Sequence, residues 1–102
     1  MLSFTVVLRP QRAEALCQRL LQAGWVDELV AAECRGYGRQ KGHLDQYADE
    51  YRIDFLPKVL VAGTIDDDHR EAFLDLVQTT ARTGRIGDGK IFLTPIERVV
   101  EY

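Results

Sequence analysis

Residues 81–92 read Ala-Arg-Thr-Gly-Arg-Ile-Gly-Asp-Gly-Lys-Ile-Phe, a glycine-rich turn that runs directly into an apolar strand. Gly84, Gly87 and Gly89 can adopt positive φ, and they lack the Cβ that would block a ligand. Successive backbone N–H groups in such a turn can form a concave anion site, and Lys90 adds a charge suited to phosphate. The spacing differs from the Walker pattern, which ends in Gly-Lys-Ser or Gly-Lys-Thr. The stretch therefore predicts either an ordinary turn or an anion-binding loop.

A second glycine-rich segment, residues 36–43, reads Gly-Tyr-Gly-Arg-Gln-Lys-Gly-His. Its arginine, glutamine, lysine and histidine predict a cationic, hydrogen-bonding loop. The segment lies far from residues 84–90 in the sequence, so a joint function requires the fold to bring the two together.

The 102 residues fit one domain, whose apolar content of 46% and charged content of 28% are ordinary for a globular protein. The net charge of −3 argues against bulk binding to nucleic acid or to an anionic membrane. No apolar run approaches the ~20 residues that a membrane span needs, and the first residues lack the features of a signal peptide. Cys17 and Cys34 form no metal or redox spacing, so we expect both to be small buried residues. These features predict a cytoplasmic protein with no nucleic-acid partner and no direct membrane insertion.

Hydrophobic periodicity predicts regular elements in the order β-α-β-loop-β-α-β. Pro10 suits the first turn of a helix and Gly24 its end. Asp66–Asp68 are expected to cap the second helix, which Gly84 stops. Pro57 implies an edge, a bend or a bulge in the third strand. The expected elements are strand 2–8, helix 10–24, strand 28–36, loop 37–50, strand 51–65, a helix from 66 to 84, strand 90–94 and an extended tail at 96–102.

This order is that of a ferredoxin-like βαββαβ sandwich of the α+β class, in which right-handed crossovers place both helices on one face of the sheet. The opposite face should be polar in a monomer. Residues 4–8, 59–62 and 91–93 are instead largely apolar at consecutive positions, which puts apolar side chains on both faces. We therefore expect the uncovered face to meet another copy of the chain.

Three segments together resemble the PII signal-transduction family, which includes nitrogen regulatory protein PII and PII-like proteins. They are residues 36–43, Asp54-Phe-Leu-Pro-Lys58 and Thr83-Gly-Arg-Ile-Gly-Asp-Gly-Lys-Ile-Phe92, and the resemblance covers nearly the whole chain. It implies a single PII-like domain over residues 1–102 that assembles as a homotrimer. A long T-loop would span about residues 37–55, and a nucleotide-gripping B-loop about residues 82–90.

The resemblance implies a signalling regulator and not an enzyme. Family members bind ATP or ADP in clefts between subunits and, with Mg-ATP, 2-oxoglutarate. Their T-loop changes shape with the ligand and docks on a membrane transporter, such as an ammonium transporter, or on a metabolic enzyme. A divergent PII-like sensor for bicarbonate or metal transport, with a reduced site for AMP or ADP, is the alternative. A small ferredoxin-like hydrolase is a weaker alternative, because the chain contains no asparagine for an Arg–Asn catalytic pair.

The resemblance also assigns roles to matching positions of this chain. Nucleotide binding falls on Gly36, Arg39, Gln40, Thr64, Arg82, Gly87, Asp88, Gly89 and Lys90. Binding of 2-oxoglutarate falls on Gln40, Lys41, Gly42, Lys58 and Gly87. Gln40 would also bind Mg²⁺ together with ATP, since an amide oxygen is a suitable ligand. Tyr51 matches a tyrosine that some members modify, although an ordinary loop-edge aromatic explains it equally well.

Two departures from the family pattern bear on the ligands. Ala62 replaces a family glutamate that would anchor Lys41. Glu101 stands where the family has the first of two phosphate-gripping arginines, and the sequence stops at Tyr102, before the second. The resemblance therefore implies a truncated C-terminal end.

We expect ATP to bind this chain more weakly than it binds a full-length relative, with a smaller loss for ADP or AMP. A charge-assisted hydrogen bond contributes about 1.5–3 kcal/mol, so losing two arginine contacts weakens binding by roughly 10²–10⁴-fold. Glu101 would add repulsion near a triphosphate. Isothermal titration calorimetry measures this affinity, and micromolar ATP binding at physiological salt would contradict the expectation.

Overall fold

The computed structural model describes residues 1–37 and 55–102, and these ranges contain the predicted strands and helices. The four strands pair antiparallel in the order β2-β3-β1-β4, which is the ferredoxin-like arrangement. The expected α+β fold is therefore confirmed. The elements are β1 (Leu2–Leu8), α1 (Pro10–Ala23), β2 (Leu29–Tyr37), β3 (Phe55–Ile65), α2 (Arg70–Ala81) and β4 (Gly89–Pro95).

The hydrophobic core lies between the helices and one face of the sheet. Alternate residues of β1 are buried, because successive side chains of a strand point to opposite faces. Both helices contribute buried residues to the same core, so both cover this one face, as predicted. Phe4 of β1 meets Phe73 of α2 with their ring centroids 4.7 Å apart. The largest fully buried side chains are Phe4, Val6, Leu8, Leu16, Leu20, Val61, Ile65, Phe73 and Val77.

Gly63 of β3 makes room for the ring of Phe4. The two residues are cross-strand partners in the β1–β3 register, so they share the core-facing side of the sheet. A Cβ at Gly63 would lie 2.7 Å from Cζ of Phe4. Packing therefore requires this glycine, whose backbone is not in the positive-φ region.

The other face of the sheet carries apolar side chains that the helices do not cover. The strand registers place Val30, Ala62, Thr5 and Phe92 in one row across all four strands. Val30 is 61% exposed and Phe92 is 53% exposed. The prediction of apolar residues on both faces is thus confirmed.

Among the residues that the structure describes, two strands form the end of the sheet near Pro57. Leu8 of β1 pairs with Val59, so residues 55–58 of β3 pair with β2 alone. A proline is tolerated there because one side of the strand needs no N–H donor. The edge position predicted from Pro57 is confirmed, while residues 51–54, also expected to be strand, lie outside the described residues.

The second helix is shorter than the sequence predicts. Residues Asp67–His69 form a 3₁₀ turn, a common start to an α-helix, and α2 begins at Arg70. Asp66 makes no side-chain capping hydrogen bond, so the capping predicted for it is wrong. At its other end α2 stops at Ala81, before Gly84, because Arg82 adopts an extended conformation.

The two cysteines differ from expectation in burial. Cys17 and Cys34 lie on α1 and β2 and are half-buried. Burial is the largest cause that raises the pKa of the Cys17 thiol. Both thiols are free, and neither pairs with the other.

Replacing Gly63 by alanine is expected to destabilise the fold. Overpacking a core costs about 1–3 kcal/mol, which exceeds the roughly 0.5–1 kcal/mol that alanine gains over glycine in a strand. Urea unfolding at fixed protein concentration measures the change. In a Phe4→Leu background, where the clashing ring atoms are gone and the carbonyl oxygen of Glu28 at 3.3 Å is the remaining close neighbour, the same replacement should cost less. A Gly63→Ala chain more stable than the wild type would contradict this packing argument.

Candidate functional site

The connection between α2 and β4, here called the glycine loop (residues 82–88), is organised around one carboxylate. Asp88 accepts hydrogen bonds from the backbone N–H of Thr83 at 2.7 Å and of Gly84 at 3.0 Å. It also accepts one from the Thr83 hydroxyl. The backbone N–H groups at the start of the loop do converge on an anion, as predicted, but the anion is Asp88 of the same chain.

Arg9 closes this arrangement from the other side. Its Nε donates to Oδ1 of Asp88 at 2.9 Å, and its Nη2 donates to the carbonyl oxygen of Ile86 at 3.2 Å. Leu8, the last residue of β1, pairs with Gly89, the first residue of β4. Arg9, which follows β1, therefore lies beside Asp88, which precedes β4. Hydrogen bonds from Thr83 foremost, and from Arg9 and Gly84, hold the pKa of Asp88 well below its usual range.

Two kinds of constraint explain the glycines. Gly84 has φ of 86° and Gly87 has φ of 82°, a left-handed conformation that other residues rarely adopt. Gly89 instead lies against β1, where an added Cβ would overlap the carbonyl oxygen of Val7. The sequence predicted both constraints, a positive φ and the close approach of another group. The group that approaches Gly89 is the backbone of β1, whereas the sequence predicted a ligand.

Lys58 ties the strand β3 to the glycine loop. Its side chain is only 9% exposed, and Nζ donates to the carbonyl oxygen of Gly87 at 2.6 Å. Burial, with a smaller contribution from the charge of Arg9, lowers the pKa of Lys58. The side chain also passes close to β2, since a Cβ at Gly36 would lie 3.2 Å from its Cγ.

A cleft of about 410 Å³ opens beside the glycine loop, where the end of α2 meets β1 and β4. Val6, Val7, Ala81 and Ile91 form its apolar lining. Arg82 donates a hydrogen bond to Oε1 of Gln78, four residues earlier in the chain, at 3.4 Å. The polar lining residues are Gln78, Arg82, Arg85, Asp88 and Lys90.

The charge of the cleft is positive. Arg82, Arg85 and Lys90 contribute three cations to the lining, and the carboxylate of Asp88 is balanced by Arg9. Such a site suits a phosphate-bearing ligand, because guanidinium groups can bind phosphate oxygens in pairs and an ammonium adds a point charge.

The predicted nucleotide residues fall into several groups. Arg82, Asp88, Gly89 and Lys90 line the cleft. Gly36 and Gly87 contact Lys58 instead, so the structure unites two of the residues assigned to 2-oxoglutarate, Lys58 and Gly87. Arg39, Gln40, Lys41, Gly42 and Tyr51 lie outside the described residues.

Thr64 lies outside the cleft within one chain. It pairs with Ser3, whereas Val6, the nearest lining residue of β1, is three residues further along that strand. At ~3.4 Å per strand residue this separation along β1 is about 10 Å. Thr64 is therefore not one of the residues that line the cleft of its own chain.

Three contributors were not predicted as site residues, namely Arg9, Gln78 and Arg85. Arg85 falls within the predicted B-loop, and its place between Gly84 and Gly87 is a signal for a loop cation. Arg9 could be found only from the strand register, and Gln78 only from the packing of α2.

Two further searches cover the described residues alone. None of the helices in residues 1–37 and 55–102 is both long and apolar enough to cross a membrane. The same ranges contain no group of three or more histidine, cysteine, aspartate or glutamate side chains placed to hold a metal ion.

Comparisons with known proteins agree on one family. The sequence model described as nitrogen regulatory protein P-II matches residues 1–102. Nitrogen regulatory protein P-II of Azospirillum brasilense is 41% identical over 95 residues, which cover 92% of this chain and 84% of the relative. Nitrogen regulatory protein GlnK of Escherichia coli K12 is 41% identical over 97 residues, or 94% of this chain and 86% of the relative. The P-II protein of Nostoc punctiforme is 40% identical over 95 residues, with the same coverage as the first.

The hydrogen bonds to Asp88 predict a specific dependence of stability on pH. Because its pKa is lower in the folded chain than the ~3.9 of an unfolded aspartate, the unfolded state binds more protons in acid. Its stabilising contribution is complete above about pH 5 and declines as the pH falls below 4. Urea unfolding should therefore find Asp88→Asn less stable than wild type at pH 7, with a difference that shrinks towards pH 2. Two parallel curves would contradict this role for the carboxylate.

Proposed function

This chain belongs to the nitrogen regulatory protein P-II family and is a signalling regulator, and on that premise we propose that it senses an adenine nucleotide. The proposed effector is ATP or ADP, held between subunits of a homotrimer. Its binding would change the T-loop, residues 37–55, which controls a membrane transporter or a metabolic enzyme. The proposal places the protein in the cytoplasm and gives it no catalytic role.

The observation that carries this proposal is the cationic lining of the cleft. Arg82, Arg85 and Lys90 face one cleft whose volume, about 410 Å³, is in the range of small-molecule sites. Three cations exceed what a neutral ligand needs, and they suit the two or three phosphates of ADP or ATP. The apolar lining from β1 and β4 gives the nucleoside a surface to pack on.

The location of Thr64 and the exposed sheet face both favour a shared site. Thr64 is separated along β1 by about 10 Å from Val6, the nearest lining residue of that strand, so we assign its proposed contact with the nucleotide to a neighbouring subunit. Val30 and Phe92 present an apolar surface on the uncovered face of the sheet, where burial against neighbours would be favourable. Together these features support the homotrimer as the binding form.

The contact between Lys58 and Gly87 supports a further part of the proposal, the binding of 2-oxoglutarate. An ammonium that is buried and held at 2.6 Å from a loop carbonyl is well placed to exchange that partner for a ligand carboxylate. Gln40, Lys41 and Gly42 would complete this site and Gln40 would bind Mg²⁺ with ATP. Arg39 would join the nucleotide phosphates.

A divergent sensor that prefers AMP or ADP is the second candidate function. Ala62, with its small apolar side chain on the outer face, supplies no carboxylate for Lys41. Glu101 is exposed and would disfavour a third phosphate. Such a protein would serve bicarbonate or metal transport. A hydrolase remains the least supported function, and turnover assays with ATP and acyl phosphates should find negligible rates.

Calorimetric titration of the purified chain with AMP, ADP, ATP and Mg-ATP plus 2-oxoglutarate tests the proposal. Tighter binding of Mg-ATP in the presence of 2-oxoglutarate would support nitrogen sensing, whereas a preference for AMP or ADP would support the alternative. Absence of binding to all four nucleotides, in a sample shown to be trimeric by light scattering, would contradict nucleotide sensing.

Lys90→Ala should weaken ADP binding about tenfold or more, because it removes a charge-assisted contact from the cleft. Arg70→Ala is the matched control, since it also removes one positive charge. Arg70 is the first residue of α2, and the cleft lies at the other end of that helix. Equal affinities of the two variants for ADP would show that the ligand binds elsewhere.

A further inference from the structure

Asp88 is a potential obstacle to the ligand proposed for the cleft. Its carboxylate belongs to the lining, beside the three cations, and an uncompensated negative charge there would repel phosphate. Its bonds to Thr83 and Gly84 spread this charge over the loop backbone but do not cancel it. Cancellation requires a cation, and Arg9 supplies it from a position outside the cleft lining.

Arg9 is itself held firmly. Leu8, which precedes it, is fully buried at the end of β1, and Pro10, which follows it, is the first residue of α1. A following proline restricts a residue to extended conformations, and Arg9 has φ of −67° and ψ of 140°. Its carbonyl oxygen also accepts a hydrogen bond from the N–H of Arg12 at 3.0 Å. The guanidinium therefore extends from a fixed point of the fold to a loop of irregular structure.

The two bonds of Arg9 reach different parts of the glycine loop. One holds the Asp88 carboxylate, which in turn holds Thr83 and Gly84, and the other holds the carbonyl oxygen of Ile86. Arg9 and Asp88 are 20% and 18% exposed, so solvent screens their pair less than it would a surface pair. The fork of donors on one arginine thus connects β1 with both halves of the loop.

We infer that Arg9 is a positioning residue for the phosphate cleft. It acts through Asp88 and Ile86, keeping the glycine loop in the shape that directs Arg82, Arg85 and Lys90 at one cleft and neutralising the carboxylate of its lining. The inference rests on the proposed nucleotide function for its effect on affinity, but its effect on the loop is independent of any ligand.

The test compares four variants with wild type: Arg9→Ala, Arg9→Lys, Asp88→Asn and the double variant Arg9→Ala/Asp88→Asn. Arg12→Ala is the matched control, because Arg12 is exposed on the first turn of α1, which begins directly after Arg9, and carries the same charge. Hydrogen exchange at the amides of Thr83 and Gly84 reports the loop without a ligand, and calorimetry with ADP reports the cleft.

Arg9→Ala should speed exchange at both amides about tenfold and weaken ADP binding by a similar factor, while Arg12→Ala changes neither. Arg9→Lys should restore part of the affinity, since an ammonium retains the charge but cannot bond Asp88 and Ile86 in the same forked geometry. Replacing Arg9 should cost less affinity in the Asp88→Asn background than in wild type, because the charge that Arg9 balances is gone.

The inference is overturned if Arg9→Ala matches Arg12→Ala in amide exchange, or if it lowers the melting temperature and leaves ADP affinity unchanged. Additive losses in the double variant would also contradict action through Asp88. If wild type binds none of AMP, ADP, ATP and Mg-ATP, the proposed function fails, and amide exchange alone then decides whether Arg9 positions the loop.

Discussion

The conformation of the glycine loop depends on the hydrogen bonds that the carboxylate of Asp88 accepts. A loop with two glycines, Gly84 and Gly87, has little intrinsic preference for one conformation, because glycine pays a large entropic cost when it is ordered. Asp88 offsets that cost locally by bonding the backbone at Thr83 and Gly84 and pairing with Arg9. The loop thus contains its own anion, and the side chains of Arg82, Arg85 and Lys90 are left to define the charge of the cleft.

The sheet imposes the second constraint, since its registers decide which residues can meet. The pairing of Leu8 with Gly89 brings Arg9 to Asp88, and the pairing of Ser3 with Thr64 puts Thr64 at the far end. One face of this sheet is closed by the helices through contacts such as Phe4 with Phe73, and the other keeps apolar residues exposed. The residues proposed to bind the nucleotide thus lie at two ends of the sheet, as a site formed between two copies of the chain would require.

The sequence predicted elements where local signals agree with the fold, and it failed where they compete. Pro10 and Gly24 mark the two ends of α1 as expected, and the β-branched and apolar residues 2–8 identified β1. The aspartates at 66–68 were interpreted as helix caps, but the chain there makes a 3₁₀ turn before α2. In the site, the spacing of the glycines predicted the loop. Arg9 could not be predicted from the sequence, because its partner Asp88 lies 79 residues away and only the strand register brings the two together.

Lys58 connects the glycine loop to the strands that flank residues 38–54. It lies on β3 where that strand has left β1 and pairs with β2 alone, so it belongs to the two-stranded ribbon that leads into residues 38–54. Its ammonium is bonded to Gly87, whereas Arg9 bonds the same loop through Ile86 and Asp88. The glycine loop is therefore fixed by two cations, one on the rigid β1–α1 junction and one on the ribbon. Under the proposed function, a ligand that displaces the carbonyl of Gly87 from Lys58 would release the two-stranded ribbon from the glycine loop. Because Arg9 would still hold the glycine loop, the change would be confined to the ribbon and the proposed T-loop.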